Sequence, residues 1–218
     1  SRPEKASGLE LFANAVMNGG GLKDHSNDEL AAIMAGKKVG VGFSMTDRFF
    51  LLSGNTNRED LETQLQLQTA YLMHPGYRQD GVTLLRRAIP MIYNKMDHEV
   101  QGAMKKQVPS ILYRNNPRFT FPTQEQLTSY QVKDVRDWVD APLKNNYMEV
   151  TVTGDFRTED IIPLLERTVG AVPKRAEAPA TLDETLRHPA MADFNFSKDL
   201  TYDSSIDKTM VCLFWKTP

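Results

Sequence analysis

Four histidines, one cysteine and a glycine triplet are the residues of this 218-residue chain with the most obvious chemical potential, and their spacing limits what they can do. A helical two-imidazole zinc site needs its histidines four residues apart, so that both project from one face. His25, His74, His98 and His188 are all much further apart than that. His98 and Glu99 come nearest to an acid–base pair, yet adjacent residues on a helix point in different directions. His25 sits in a polar loop with Asp24 and Asp28, His74 precedes a proline in a helix-ending turn, and His188 falls in a linker. Cys212 lies in the apolar run Met210 to Trp215 and reads as a small buried hydrophobe. Gly19-Gly20-Gly21 has the look of a phosphate cradle, but it follows a helix and lacks the Lys-Ser/Thr that such a loop requires. It reads as a helix stop. There is no G-x-S-x-G elbow for a nucleophilic serine.

Composition narrows the function classes further. A formal net charge of −2 gives no electrostatic basis for binding nucleic acid or an anionic membrane. The segment Asn115 to Phe121 mixes aromatics with Arg118, and in a near-neutral chain it reads as an ordered loop rather than a base-stacking platform. No apolar run approaches the ~20 residues of a membrane span. One cysteine forms no internal disulfide and does not fix the redox compartment. The chain begins at Ser1 and ends at Pro218 just after a strand-like run, which suggests a piece of a longer protein.

The elements that must position any site follow from periodicity. Leu9, Phe12, Ala13 and Val16 repeat at helical spacing up to the glycine triplet. Ser26 and Glu29 predict a capping box for a second helix ending near Gly36. Residues 38–45 alternate as a half-buried strand with Val39, Val41, Phe43 and Met45 on one face; Asp47-Arg48 turns the chain into a second strand, Phe49 to Ser53. Asn57 caps a helix bearing Leu61, Leu65, Gln68 and Leu72. The next helix carries the stripe Val82, Leu85, Ile89, Ile92 and Met96, with a kink or break expected at Pro90. A helix over about 98–113 and two short helices opened by Thr123 and Val132 come next. Met148, Val150 and Val152 predict a third strand, and Thr158 a helix with Ile161, Ile162, Leu165 and Val169 inward. Thr209 to Trp215 reads as a strand with no partner inside the chain. The class expected is α+β, helices packed on one side of an antiparallel or mixed sheet.

Several segments in order carry a family resemblance: Ala35 to Val39 with Leu52-Ser53-Gly54 and Asp60-Leu61-Glu62; Tyr71 to Gly76; Trp138 followed by Met148 to Phe156 and Thr168 to Pro173. Together they resemble the M16 (insulinase/pitrilysin-like) metallopeptidases, in particular a domain of the long bacterial members. The resemblance implies a LuxS/MPP-like metallohydrolase fold. It further implies a peptidase of two halves that close around an unfolded peptide, one half holding zinc on an inverted H-x-x-E-H motif.

That motif would fall on the first helix, at Glu10, Ala13 and Asn14 or at Leu11, Asn14 and Ala15, and no histidine stands there. The family's third ligand is a Glu roughly 75–80 residues downstream, a range the resemblance supplies, and Val82 to Met96 contains no acidic residue. No catalytic, metal-binding or cofactor-binding residue is therefore assigned to this chain, and zinc is expected in a catalytic domain of the parent. The organisation expected is an M16-like domain over 1–172 lacking its first strands, a linker over 173–198, and the first strand of a following domain over 199–218. The partners expected are the catalytic half of the same polypeptide and a peptide substrate. Phe49, Phe50, Leu51, Leu52, Ser53 and Gly54 form the candidate substrate edge, the alternative being an ordinary internal strand. The resemblance implies the periplasm or cell envelope. The alternative function is a stand-alone interaction or assembly subunit on the same fold.

Overall fold

The glycine triplet ends the first helix as its residue types require. In the computed structural model, which describes residue 3 and residues 6–46, 48–181, 188–193 and 195–215, helix α1 spans Leu9–Gly19. Phe12, Ala13, Val16 and Met17 are buried along it at helical spacing. Gly21 then adopts φ +62°, where a Cβ would be penalised, and its carbonyl accepts the Gly76 N–H at 2.9 Å.

Helix α2 (Asn27–Ile33) starts on the expected capping box: Ser26 Oγ accepts the Glu29 N–H, and the Glu29 carboxylate accepts the Ser26 N–H at 2.7 Å. It stops at Ile33, a turn short of Gly36. Strands β1 (Gly42–Met45) and β2 (Phe50–Ser53) pair antiparallel, Phe43 opposite Leu52. Only the last four residues of the expected strand 38–45 join this ladder, because β2 offers no more partner residues. Asp47, half of the expected turn, lies outside the described residues.

Helix α3 (Leu61–Met73) follows a turn closed by Asn57, whose Oδ1 accepts the Asp60 N–H at 2.8 Å. Leu30 of α2 with Leu67 and Tyr71 of α3 form a buried cluster, and Val39, Val41 and Leu52 pack against it. One face of the hairpin is thus covered by helices. Helix α4 (Gln79–His98) runs unbroken through Pro90, contrary to the break allowed for there. Its buried Val82, Ile89 and Tyr93 hold the stripe in place against the local penalty of proline. Helices α5 (Val100–Leu112), α6 (Gln124–Ser129), α7 (Val132–Asn145) and α8 (Thr158–Glu166) complete the set. Thr123 opens α6 with a second capping box to Gln126.

The chain divides into two compact units. One takes Glu10–Leu84 and Gln131–Thr181; the other takes Arg2–Leu9, Leu85–Tyr130 and Leu182–Pro218. Within the second, the Tyr93 hydroxyl donates to the Pro122 carbonyl and the Tyr130 hydroxyl to the Ser7 carbonyl, each at 2.7 Å. Burial, with Glu125 and Asp97 nearby, pushes the Tyr93 phenol up to about 12. Tyr113 stacks on Phe119 at 3.8 Å between ring centroids, so the aromatics of the 115–121 loop are engaged by the protein itself.

Three expectations are corrected. Met148 to Thr153 forms no strand and joins no ladder among the described residues. Ile162 faces solvent rather than the core, while Ile161 is buried. Thr209 to Trp215 likewise pairs with nothing described, which leaves Cys212 exposed rather than buried. Among the described residues the architecture is therefore helix-rich α+β with a two-stranded antiparallel sheet, in place of the sheet with a third strand expected.

Candidate functional site

Helices α1 and α4 are where the inverted zinc motif and its third ligand would fall, so their contact tests whether zinc fits. A Cβ built on Gly81, in the first turn of α4, would lie 1.9 Å from the Ala15 carbonyl oxygen, and one on Gly19 would lie 2.4 Å from the Gly81 Cα. The two backbones touch here with no side chain between them. On α1, Phe12 and Ala13 are fully buried. Zinc needs three protein donors converging on an open position, and α1 supplies none of the imidazoles. Among the described residues, no three His, Cys, Asp or Glu side chains gather closely enough to hold a metal. These residues do not fit zinc.

The histidines sit where the duller readings put them. His25 closes a tight turn, its carbonyl accepting the Leu22 N–H at 2.8 Å. His74 is the C-cap of α3 and accepts the Lys23 N–H at its carbonyl. His98 Nδ1 lies 2.6 Å from the Asp203 carbonyl on an exposed surface. On α1, Asn14 Oδ1 is buried without a hydrogen-bond partner among the described residues, and the Tyr77 hydroxyl is buried beside the Asp140 carboxylate. Tyr77 holds a left-handed φ of +46° beneath the Arg136 guanidinium, 5.4 Å from the ring centroid. Burial first, then the neighbouring Asp140 carboxylate, holds its phenol well above the ordinary tyrosine range.

The proposed substrate edge has a definite geometry. Phe50 points inward, 5.7 Å from Phe43 and 5.8 Å edge-on from Trp138 between centroids, whereas Phe49 and Leu51 are exposed on the other face. Ser53 is exposed, and the Leu52 carbonyl accepts Gln68 Nε2 at 3.4 Å. Gly54 packs so closely on Gln64 and the Gly40 carbonyl that a Cβ would collide with both. Among the described residues, β2 pairs with β1 alone.

Comparison with known proteins agrees with the family reading. The chloroplastic stromal processing peptidase of Pisum sativum is 21% identical over 148 residues, 67% of this chain and 12% of the peptidase. The Arabidopsis thaliana counterpart matches equally, at 21% over 148 residues. Among solved structures, the Escherichia coli periplasmic protease PqqL superposes with TM-score 0.62 at 17% identity, covering 82% of this chain and 20% of PqqL. The ferredoxin protease FusC, crystallised with Arabidopsis ferredoxin, gives 0.59 at 15% identity over 79% of this chain and 19% of FusC. A Helicobacter pylori protease gives 0.58 at 14% identity, covering 87% of this chain and 44% of that protein. The chain resembles the M16 peptidases in sequence and in fold. It spans only 12% of the length of the processing peptidases it matches. No protein-family model matches it. Among the described residues, no helix is long and apolar enough to cross a membrane.

Sequence reading missed the residues that set this region's geometry. Gln64 is buried on α3 and holds the backbone of Gly40, and Arg175, in the stretch read as linker, grips the end of α7. The only signal for Gln64 was a polar residue beside the apolar stripe of α3. Arg175 carried none.

Proposed function

We propose that the chain is a non-catalytic domain of an M16-type zinc metallopeptidase. It forms part of the wall of the chamber that encloses a peptide or unfolded protein. The observation that carries this reading is the α1–α4 contact. At the positions where the zinc ligands would stand, α1 carries Glu10, Ala13 and Asn14 or Leu11, Asn14 and Ala15, none of them a histidine, and Gly81 of α4 lies directly on the Ala15 carbonyl. In this reading zinc and the water it activates belong to the catalytic half of the same polypeptide. The short coverage of the peptidases it resembles supports a parent with further domains. Phe49 to Gly54 would contribute by pairing backbone with an extended substrate, a role consistent with an edge that presents Phe49 and Leu51 outward. The likeness to a periplasmic protease supports placement in the periplasm or cell envelope.

Elemental analysis of the purified chain, with a cleavage assay on an unfolded peptide with and without added zinc, tests the proposal. Substoichiometric zinc and no cleavage are expected. Stoichiometric zinc with chelator-sensitive cleavage would overturn it.

A further inference from the structure

Asn18, in the last turn of α1, is exposed to solvent, yet its carboxamide is held in place at both ends. Nδ2 donates to the Asn14 carbonyl one turn back and to the Phe43 carbonyl of β1, and Oδ1 accepts the Phe43 N–H, each at 2.8 Å. Both backbone groups of one strand residue are thus met by a side chain whose donor and acceptor match those of a peptide unit. The side of β1 on which this happens is the one away from β2. The Thr46 N–H donates to the Phe49 carbonyl at 3.0 Å. Ladder bonding alternates, so the pairs Phe43–Leu52 and Met45–Phe50 are the unbonded ones, and the N–H and C=O groups of Phe43 and Met45 point outward. Among the described residues β1 pairs with β2 alone, which makes that side a sheet edge.

An edge of this kind is a template for another chain, and proteins ordinarily blunt it with charge, proline or a bulge. Residues 39–46, Val-Gly-Val-Gly-Phe-Ser-Met-Thr, contain no charge and no proline. The register from Gly42 opposite Ser53 to Met45 opposite Phe50 runs without a bulge. Asparagine is also a poorer helix former than alanine or leucine, so local propensity does not account for it in α1.

We propose that Asn18 is an edge guard, which keeps β1 of a second copy from pairing antiparallel with β1 about a two-fold axis near Phe43. In that pairing the two Phe43 residues would exchange both N–H···O=C bonds. The Asn18 carboxamide already occupies both groups. The guard concerns the open side of β1 and not the β2 edge assigned to substrate.

Sedimentation velocity over a concentration series tests it on three proteins: the chain itself, Asn18→Ala, and Asn18→Ala/Met45→Pro. Proline at position 45 removes an outward N–H and no ladder bond, so it blocks the same edge by other means. Circular dichroism checks that each variant folds. Asn18→Ala should self-associate at least about tenfold more tightly than the parent chain, the factor that two added backbone hydrogen bonds supply. The double variant should return to the parent's behaviour. A folded Asn18→Ala that associates no more than the parent, or a double variant that associates as the single one does, would overturn the proposal. Hydrogen exchange on the parent chain adds a readout that needs no variant. The Phe43 amide should exchange slowly although it faces away from β2, and fast exchange there would equally sink the guard. No readout uses zinc or cleavage, so failure here is distinct from failure of the proposed function.

Discussion

Gln64 and Gly40 are joined by two hydrogen bonds. The Gly40 N–H donates to Gln64 Oε1 at 2.9 Å, and Gln64 Nε2 donates to the Gly40 carbonyl at 2.8 Å. A side-chain amide has the same donor and acceptor as a peptide group, so Gln64 stands in for the strand neighbour that Gly40 lacks. The link seats the segment before β1 on α3 and sets the height of the hairpin bearing the proposed substrate edge.

Gln64→Ala should therefore be among the costlier substitutions in the chain. Gln64 is only 3% exposed; truncation removes two hydrogen bonds to Gly40, an exposed residue whose backbone water can partly re-pair, a loss of about 1–2 kcal/mol. Urea denaturation reads it as a lower midpoint at constant slope. Gly54→Ala should act in the same direction, since its Cβ would sit 2.1 Å from Gln64 Nε2 and 2.5 Å from the Gly40 carbonyl. Gly40→Ala is the control. Nothing lies within 4 Å of its Cβ, so stability should stay within about 0.5 kcal/mol.

The α1–α4 contact makes a second prediction. Gly81→Ala places a methyl group 1.9 Å from the Ala15 carbonyl oxygen. Backbone cannot swing aside as a side chain can, so the helices must separate, at a cost of about 2–3 kcal/mol. Thermal melting should show a clear fall in Tm. An unchanged Tm would mean that the two helices are not in backbone contact, which would also remove the main support for a non-catalytic role.

How much of this was legible in the sequence depended on whether the deciding interaction was local. The box at Ser26 and Glu29 and the opening of α6 at Thr123 are written within four residues, and both form. The alternation of Met148, Val150 and Val152 predicted a strand that does not form among the described residues: a ladder needs a partner, and the pattern holds no information about one. Ile162 satisfied the helical period and still faces solvent, because nothing described covers that side of α8. Pro90 was read on local grounds as a kink or a break, and with the stripe of α4 buried the helix continues through it without a break. The missing zinc ligands on α1 could be read residue by residue, whereas the glycine contact that closes that space pairs residues more than sixty positions apart.

Acid should weaken the first unit through Asp60. Its carboxylate accepts the Lys38 N–H at 2.8 Å and faces Lys37 Nζ at 3.5 Å. These contacts, the Lys38 amide first, hold its pKa below the ordinary aspartate value. A carboxyl whose folded pKa is depressed contributes stability that is fully present above the unfolded pKa and is lost as pH falls through the folded one. Glu62 beside Arg167 and Asp160 beside Arg157 are depressed in the same sense. Stability should thus be flat near neutrality and fall below about pH 4. Asp60→Asn should lower Tm at pH 7, and its deficit against the parent should shrink as pH drops below that value. A deficit that stays constant with pH would show that the lost contribution is not the charge.

Arg175 makes the sharpest test of a residue in a stretch that composition marks as linker. Its guanidinium donates to three carbonyls at the end of α7: Leu143 at 2.6 Å, Lys144 at 2.6 Å and Asn146 at 2.9 Å. The last carbonyls of a helix have no partner within it, and a cation there also meets the negative end of the helix dipole. Burial lowers the Arg175 pKa, yet guanidinium starts so high that it stays charged. Arg175→Ala should cost about 1–2 kcal/mol, because three carbonyls at the helix end, only that of Leu143 on a buried residue, lose a charged donor. Arg175→Lys separates charge from shape. An ammonium keeps the favourable sign at the helix end but cannot span three carbonyls with a planar fork, so it should recover less than half of the loss. Full recovery by lysine would make the interaction one of charge alone. Hydrogen exchange adds a local readout, since the Ala176 N–H donates to the Asn145 carbonyl at 2.9 Å and should lose protection first in Arg175→Ala.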